Sequence, residues 1–349
     1  MRCSSACVLP SEAWSSLGST TVLSLVLSFL ICLLVAPVGF ASDIEWVTVG
    51  DPGNACDFQP QGCFGSVDRA YRIGKYEVTN AQYANFLNAV AQTDPHDLYK
   101  GNQGSGKGGI DRDGSEGNYT YLPIAGRENM PVNYIEFYDT LRFANWLHNG
   151  SPTGPQGSAT TEDGAYTITE LGMSSNNIYR NEGAKFFLTS EDEWYKAAYY
   201  DALSSSFYDY ASQSDSIINC SMPGAGANKA NCAGVVGDLT PVGAYMSSIS
   251  PNGTFDQSGN AQEWNESVNG SSGRVLRSGS FAAGHPFAQS ASSRSSGNVV
   301  FPGQEFVGFR LASAIPEPST ALLVGTGLLG LAASAGAALF LVYEWHIGG

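Results

Sequence analysis

The sequence DQSGNAQEWNE (Asp256–Glu266), followed by RVLRSGSF (Arg274–Phe281) and VGFRLA (Val307–Ala312), decides how this chain folds. Glycine, tryptophan and arginine recur in it in an order that neither the period of a helix nor that of a strand explains. Such a pattern indicates irregular backbone that is held in place by specific side chains. We therefore expect a domain with little regular secondary structure.

Three other segments carry the signals of α-helices, because each opens with a capping-box pattern followed by apolar residues. These patterns are Thr79-x-x-Gln82, Asn133-x-x-Glu136 and Ser190-x-x-Glu193. Short strand signals lie at Trp46–Val49, Arg69–Ile73, Tyr166–Ile168, Val275–Arg277 and Gly308–Leu311. Long glycine-rich connections fill much of the remainder, at Gly101–Asn118, Gly150–Gly164 and Ser204–Gly226.

The N-terminus has the features of a secretory signal peptide over residues 1–41. An apolar run covers Thr21–Val38, and Gly39-Phe40-Ala41 then places small residues at a cleavage site before Ser42. The alternative is an apolar helix that is not cleaved and stays in the membrane.

The C-terminus carries a Pro-Glu-Pro stalk (residues 314–320) and then an apolar stretch, Ala321–Tyr343, long enough to cross a bilayer. This arrangement resembles the PEP-CTERM sorting signal of exopolysaccharide-producing bacteria, which implies recognition by an exosortase-type peptidase. The short tail, residues 344–349, departs from that pattern because it lacks an arginine cluster. A tail that simply stays anchored in the membrane is therefore the alternative.

Residues 42–313 are enough for one sizeable core, so we expect a single domain between the two apolar ends. The chain has 17 Lys and Arg against 32 Asp and Glu, a formal net charge of −15. This acidic balance argues against nucleic acid and anionic membrane surfaces as partners. It is compatible with cation binding and with solubility outside the cell.

Four cysteines remain after the predicted signal peptide, in two close pairs. An even number in an exported chain predicts the disulfides Cys56–Cys63 and Cys220–Cys232. Zinc binding by the four thiolates is the alternative, which the absence of CxxC spacing disfavours.

Four sequence blocks together resemble the formylglycine-generating enzyme family, also called sulfatase-modifying factors. They are YRIGKYEVTNAQYANFLNAV (Tyr71–Val90), MPVNYIEFYDTLRFANWLHNG (Met130–Gly150), FFLTSEDEWYKAAYY (Phe186–Tyr200) and the segment that begins at Asp256. They come in the family's order and cover roughly Ile44–Ala312. The resemblance implies an irregular, C-type-lectin-like α+β domain with little regular structure.

The resemblance also implies a structural calcium ion in the loop that begins at Asp256. The ligands carried over by position are the Asp256 side chain and the carbonyls of Gln257, Gly259 and Ala261, with Glu263 supporting the loop from behind. A hydrogen-bonded turn without metal is the alternative. A second family site would fall near Asn231, Cys232 and Asp238, where the shortened loop disfavours it.

The family's catalytic centre consists of two cysteines, five positions apart, that bind copper(I) and engage a substrate cysteine. Anchored on Ser280, those positions here are Ala283 and Ala288, so copper is not expected. Arg277 and Ser280 match residues of the family's groove, and His285 lies between the two alanines. A structural ion pair between Arg277 and Glu263 is the alternative role for the arginine.

These features predict an exported protein of the cell envelope or extracellular matrix whose domain is a non-catalytic binding or structural module. Its expected partners are a polysaccharide or peptide ligand, an exosortase-type peptidase and, through the C-terminal helix, the membrane. Nucleic acid is not an expected partner. The alternatives are a divergent formylglycine-generating-type oxidoreductase that acts on protein cysteine, and a passive matrix component without a discrete ligand.

Overall fold

The computed structural model describes residues 44–299 and 303–315. Residues 1–43, 300–302 and 316–349 lie outside this description, and with them the predicted signal peptide, most of the stalk and the C-terminal apolar stretch. Within the described part of the chain, no helix is both long and apolar enough to cross a membrane.

The described residues form a mixed α/β structure with few and short regular elements. The helices are α1 (Asn80–Val90), α2 (Phe137–His148), α3 (Glu170–Ser174) and α4 (Glu191–Tyr199). The strands are β1 (Trp46–Val49), β2 (Asp57–Gln59), β3 (Gly62–Phe64), β4 (Tyr71–Gly74), β5 (Ile110–Asp113), β6 (Thr120–Pro123), β7 (Phe186–Leu188), β8 (Tyr200–Asp201), β9 (Ser206–Phe207), β10 (Asn219–Cys220), β11 (Lys229–Ala230), β12 (Gln262–Asn269), β13 (Gly273–Arg277), β14 (Ser295–Asn298), β15 (Val307–Phe309) and β16 (Leu311–Ala314).

Two four-stranded sheets organise the domain. The first has the order β1-β4-β16-β7 and is antiparallel throughout, and the second has the order β14-β13-β12-β15, in which β12 and β15 are parallel. The predicted strand Gly308–Leu311 is wrong as a single unit, because Arg310 alone separates β15 in the second sheet from β16 in the first. The predicted strand Tyr166–Ile168 is also wrong, since only one isolated bridge, Tyr166 to Arg180, forms there.

Local capping signals correctly place the starts of two helices. At α1 the Gln82 amide donates to Thr79 Oγ1 (3.3 Å) and the Thr79 amide donates to Gln82 Oε1 (2.9 Å). At α4 the Glu193 and Ser190 amides make the same reciprocal pair at 3.1 and 2.8 Å. Each cap provides hydrogen-bond acceptors for backbone amides that have no partner within the helix. Such a cap stabilises the helix by about 1 kcal/mol.

The start predicted for the second helix at Asn133 is wrong. Helix α2 begins at Phe137, and its capping residue is Glu136, whose amide donates to Asp139 Oδ2 at 3.0 Å. The physical reason lies at Tyr134, where φ is +56°, a left-handed conformation that the first turn of an α-helix cannot contain. Asn133 instead joins two distant segments, because its Nδ2 donates to the carbonyls of Lys107 (3.0 Å) and Glu305 (2.8 Å).

Aromatic side chains from α1 and α2 fill the core against the second sheet. Phe86 meets Phe143 edge to face with ring centroids 5.3 Å apart, and Phe143 meets Phe309 of β15 at 5.5 Å. These three rings are fully buried, and each such side chain stabilises the fold by about 1.5–3 kcal/mol. The core thus fixes the position of β15, next to which the candidate site is built.

Buried amide side chains hold the long connections that have no regular structure. Asn145 of α2 is an example, since its Nδ2 donates to the carbonyls of Thr161 (2.8 Å) and Tyr166 (2.9 Å) and its Oδ1 accepts from the Tyr166 amide (2.7 Å). Loops of this length stay ordered only when their backbone groups find such partners. The glycine-rich sequence is therefore compatible with a well-ordered domain.

Candidate functional site

The loop from Asp256 to Ala261 is irregular, as its sequence predicts. Asp256 (φ +64°) and Asn260 (φ +61°) both adopt the left-handed conformation, in which short polar side chains are tolerated. Gly259 has φ +153°, and a Cβ there would lie 2.6 Å from the Asn231 carbonyl oxygen. Only glycine therefore allows this close approach between the loop and the segment that carries Asn231.

Asp256 is a carboxylate without a cationic contact. Its Oδ2 accepts a hydrogen bond from the Gly243 amide (2.6 Å), and no ion pair within the described chain includes it. Burial raises the pKa of its carboxyl group to about 6, against a partly opposing effect of that amide and of Arg310. A bound cation would offset the cost of burying this charge.

A cavity of ≈ 10 Å³, about the size of one water or ion, adjoins Asp256. Gly259 and Asn231 also line it, and the buried Asn231 Oδ1 has no hydrogen-bond partner. Lys229 lies at the same cavity, but its Nζ donates to the Ala225 carbonyl at 2.7 Å. A carboxylate together with amide and carbonyl oxygens is the ligand chemistry of calcium, so the residues present fit that ion.

The four predicted calcium ligands are not equally placed around this cavity. Asp256 and Gly259 line it, whereas Gln257 and Ala261 do not. Sequence reasoning assigned Asn231 to a different site and so missed it here. Because the described residues hold no cluster of three His, Cys, Asp or Glu side chains suited to a metal, amide and carbonyl oxygens would carry most of the coordination.

Two of the residues expected at the second family calcium site, Asp238 and Cys232, already have other partners. The Asp238 carboxylate accepts from both terminal nitrogens of Arg127, at 2.8 and 3.1 Å, and from the Leu239 amide at 2.7 Å. Cys232 is held in a disulfide. The guanidinium of Arg127 thus provides the positive charge that this carboxylate needs.

Glu263 pairs with Arg310, so the suggested pair with Arg277 is wrong. The side chains of Glu263 and Arg310 are fully buried, and Arg310 donates to the two carboxylate oxygens at 2.6 and 2.7 Å. Arg310 also donates to the Phe255 carbonyl at 2.9 Å, directly before Asp256. Glu263 therefore acts on the loop indirectly, by orienting the arginine that holds the loop's first peptide group.

Arg277 forms a structural ion pair, but its partner is Glu191 and not Glu263. It is 1 % exposed, its Nε donates to Glu191 Oε1 at 2.8 Å, and its Nη1 donates to the Ala291 and Ser293 carbonyls. A guanidinium so occupied has little to offer a ligand in a groove. Ser280 is also buried, and His285 lies exposed on the following loop.

No thiol stands at the positions that correspond to the family's copper ligands. Ala283 and Ala288 are half-buried in short turns, where their amides donate to the carbonyls of Ser280 (3.1 Å) and His285 (3.3 Å). All four cysteines of the described chain form the two predicted disulfides, with Cα–Cα distances of 5.5 and 5.0 Å. This confirms the pairing, rules out the four-thiolate zinc site and leaves the described residues without a free thiolate.

One cavity that the sequence analysis did not predict lies along strands β12, β13 and β14, and we call it the neutral cleft. It has a volume of ≈ 680 Å³, within the usual range of small-ligand sites, and includes none of Arg277, Ser280 and His285. None of the described residues that line it has an ionisable side chain. Its lining is Gln262, Trp264, Asn269, Gly270, Ser271, Ser272, Gly273, Leu276, Ser295, Ser296, Gly297, Asn298, Gly303, Gln304, Phe306 and Val307.

Trp264 lies at the floor of the neutral cleft in a fixed position. Its Nε1 donates to the Ile135 carbonyl at 3.1 Å, and its ring meets Phe137 edge to face at 5.7 Å. A Cβ on Gly297 would lie 2.1 Å from the indole, so only glycine leaves room for it. An apolar floor under serine and asparagine side chains suits an uncharged ligand that carries many hydrogen-bonding groups.

Comparison with known proteins supports one family. The model of the sulfatase-modifying factor enzyme 1-like domain (FGE-sulfatase) matches residues 64–315, and no curated protein matches the chain. Similar solved structures are CarF (20 % identity, TM-score 0.49, covering 78 % of this chain and 99 % of CarF) and Treponema denticola variable protein 1 (20 %, 0.48, 78 % and 95 %). PvdO from Pseudomonas aeruginosa is similar at 16 % identity and a TM-score of 0.42, with 78 % and 92 % coverage. Since the family model spans more than half of the chain, this protein belongs to the family of sulfatase-modifying factor enzyme 1-like domains.

Proposed function

We propose that this protein keeps the family's fold for binding and has lost the copper chemistry. The observation that carries the proposal is the pair Ala283 and Ala288 in a domain whose described cysteines are all in disulfides. Copper(I) needs soft thiolate ligands, and alanine offers no atom that could replace them. The proposed scaffold is C-type-lectin-like, as the family resemblance implies, and lacks both copper ligands at Ala283 and Ala288.

The neutral cleft supports a binding role for this scaffold. Its described lining combines Trp264 and Phe306 with serine, asparagine and glutamine and includes no charged side chain. Such a lining favours an uncharged polysaccharide, or a neutral stretch of peptide, over a charged ligand. The proposed ligand site is thus the neutral cleft, whose lining includes none of Arg277, Ser280 and His285.

A calcium ion is proposed as a structural cofactor of the loop Asp256–Ala261, which directly precedes β12 of the second sheet. Of the ligands that the resemblance implies, Asp256 and Gly259 line the cavity and are proposed to bind the ion together with Asn231, whereas Gln257 and Ala261 lie outside its lining. The ion would supply positive charge between two segments that otherwise bring carboxylate and carbonyl oxygens together. These residues themselves set the spacing, since Gly259 permits the close approach to Asn231.

Export to the cell envelope or matrix is proposed from the chain ends and from the disulfides. Disulfides form and persist in oxidising compartments, which agrees with a signal peptide over residues 1–41. The stalk and the apolar stretch, Ala321–Tyr343, then anchor the chain or present it to an exosortase-type peptidase. Fractionation with an antibody to the domain tests this, and deletion of residues 315–349 should release the protein from the envelope.

The loss of catalysis is tested with a Cys-x-Pro-x-Arg peptide, copper and a reductant, with mass spectrometry for the aldehyde product. We expect no turnover above a protein-free control. Turnover that depends on the protein would favour the alternative, an oxidoreductase that acts on protein cysteine. The Ala283→Cys, Ala288→Cys variant provides a further arm, since restored copper binding would show that only the thiols are missing.

A further inference from the structure

The sequence contains three asparagines that directly precede a glycine, in the pairs Asn149-Gly150, Asn252-Gly253 and Asn269-Gly270. An asparagine in this position is chemically labile, because the peptide nitrogen of the next residue can attack the side-chain amide. Glycine favours the attack, since it has no Cβ that would hinder the approach. In a folded protein, hydrogen bonds to either group must open before the reaction. The structure therefore decides which of the three pairs is reactive.

The pair at Asn149 is protected at both reacting groups. Its Nδ2 donates to the carbonyls of Thr160 at 3.1 Å and Asp163 at 2.8 Å. The Gly150 amide donates to the Leu147 carbonyl at 3.0 Å, at the end of helix α2. Neither group can move towards the other until these hydrogen bonds open, so this pair should react slowly.

The pair at Asn252 is protected in the same way. Asn252 is half-buried, and its Nδ2 donates to the carbonyls of Lys196 at 3.0 Å and Tyr200 at 2.8 Å, which ties the loop to the end of helix α4. The Gly253 amide donates to the Ser250 carbonyl at 3.0 Å. This pair should therefore also react slowly.

The pair Asn269-Gly270 is free at both reacting groups. It begins the turn that joins β12 to β13, where Asn269 is the last residue of β12 and Gly270 is exposed. Within the described chain, neither the Asn269 side chain nor the Gly270 amide makes a hydrogen bond. Gly270 has φ +75°, a conformation that glycine adopts without strain. Asn269 also lines the neutral cleft, whose volume of ≈ 680 Å³ gives its side chain room to turn.

We propose that Asn269 is a site of spontaneous deamidation, which converts an asparagine of the neutral cleft into a carboxylate. The Gly270 nitrogen forms a bond to Cγ of Asn269 and gives up its proton. The bond from Cγ to Nδ2 breaks, so that ammonia leaves and a succinimide ring remains. Water then opens the ring at either of its two carbonyl groups, which yields aspartate or isoaspartate. The reaction consumes water and needs neither an oxidant nor a reductant.

Deamidation alters the neutral cleft in two ways. Aspartate only accepts hydrogen bonds, whereas the asparagine amide also donates them, and the described lining of the cleft otherwise includes no charged side chain. Isoaspartate adds a carbon atom to the main chain where Asn269 pairs with Gly273, so it also disturbs the end of the ladder between β12 and β13. The effect on ligand binding rests on the proposed function of the cleft, whereas the modification itself does not.

The test is incubation of the purified protein in mildly alkaline buffer, followed by peptide mapping with mass spectrometry that separates asparagine, aspartate and isoaspartate. We expect Asn269 to be converted at least about tenfold faster than Asn149 and Asn252, because only those two must first lose hydrogen bonds. In guanidinium chloride with reduced disulfides, the three sites should react at similar rates, since each is followed by glycine. Equal rates in the folded protein, an Asn269 that stays intact, or a preference that persists unchanged in the unfolded chain would overturn the proposal.

Two variants provide the controls. Asn269→Gln keeps an amide at the cleft and should stay intact over the same period, because ring closure from the longer side chain is much slower. Asn269→Asp carries the charge of the product and should coelute on anion exchange with the aspartate form of the aged protein. Both act at a partly exposed turn residue, so the circular dichroism spectrum should be unchanged. An acidic form that accumulates equally in Asn269→Gln would show that the modification lies elsewhere and contradict the proposal.

Discussion

The buried pair of Glu263 and Arg310 should be the most costly polar interaction to remove. Both side chains are fully buried, and the guanidinium also donates to the carbonyls of Gly74 (3.1 Å) and Phe255 (2.9 Å). Replacing Arg310 by methionine keeps the approximate volume of the side chain but leaves Glu263 as an uncompensated buried charge. Breaking such a pair costs about 3–5 kcal/mol, and each orphaned carbonyl adds about 1 kcal/mol.

We therefore expect Arg310→Met to lower the free energy of unfolding by about 5–7 kcal/mol, a large part of the 5–15 kcal/mol typical of a domain. Urea unfolding followed by tryptophan fluorescence measures it, with Glu263→Gln and the double variant completing a cycle. The losses should be strongly non-additive, since the second substitution removes the charge that the first one isolates. Arg72→Met is the matched control, because that partly exposed side chain bonds mainly to Ser313 Oγ (2.9 Å). A loss below about 1 kcal/mol for Arg310→Met, or additive losses, would refute the reasoning.

Three further outcomes are expected. Calcium should raise the melting temperature measured by calorimetry, because a calcium concentration a hundredfold above Kd stabilises the native state by about 2.7 kcal/mol. Both Asp256→Ala and Asn231→Ala should abolish this increase. Burial raises the pKa of Asp139 to about 7, so the native state binds that proton more tightly than the unfolded chain does. The free energy of unfolding should therefore fall as the pH rises from about 4 towards 7. Asp139→Asn should flatten this dependence in urea titrations. Gly297→Ala should displace the Trp264 indole, costing about 1–3 kcal/mol and shifting its fluorescence, with an unshifted spectrum counting against the close contact.

Features that depend on a few neighbouring residues could be predicted from the sequence. The caps at Thr79 and Ser190 form as expected because each box closes within one helical turn. The box at Asn133 fails because Tyr134 adopts a left-handed conformation, and Asn133 bonds instead to segments far along the chain. Several glutamates could form an ion pair with Arg277 or Arg310. Only the packing of α4 against the second sheet decides that Glu191 pairs with Arg277.

The candidate sites show the same limit. The loop at Asp256 was found through its family resemblance, but Asn231 reaches its cavity from a separate segment that no local pattern links to it. The neutral cleft combines three stretches, residues 262–276, 295–298 and 303–307, whose serines and glycines carry no individual signal. A site assembled from unremarkable residues of several segments becomes visible only when the strands are paired.

The chain passes through Arg310 from β15 in the second sheet to β16 in the first, and this connection affects the order in which the domain folds. Strand β16 lies between β4 and β7, so Ile73 pairs with Ala312 near the opposite end of the domain. Such distant pairing must overcome the entropy of closing a very long loop, which makes it a slow step. A chain interrupted before Leu311 would leave β7 without a partner and one edge of β4 open to other chains. We expect the domain to remain unfolded until its last strand is available, and truncated forms to aggregate.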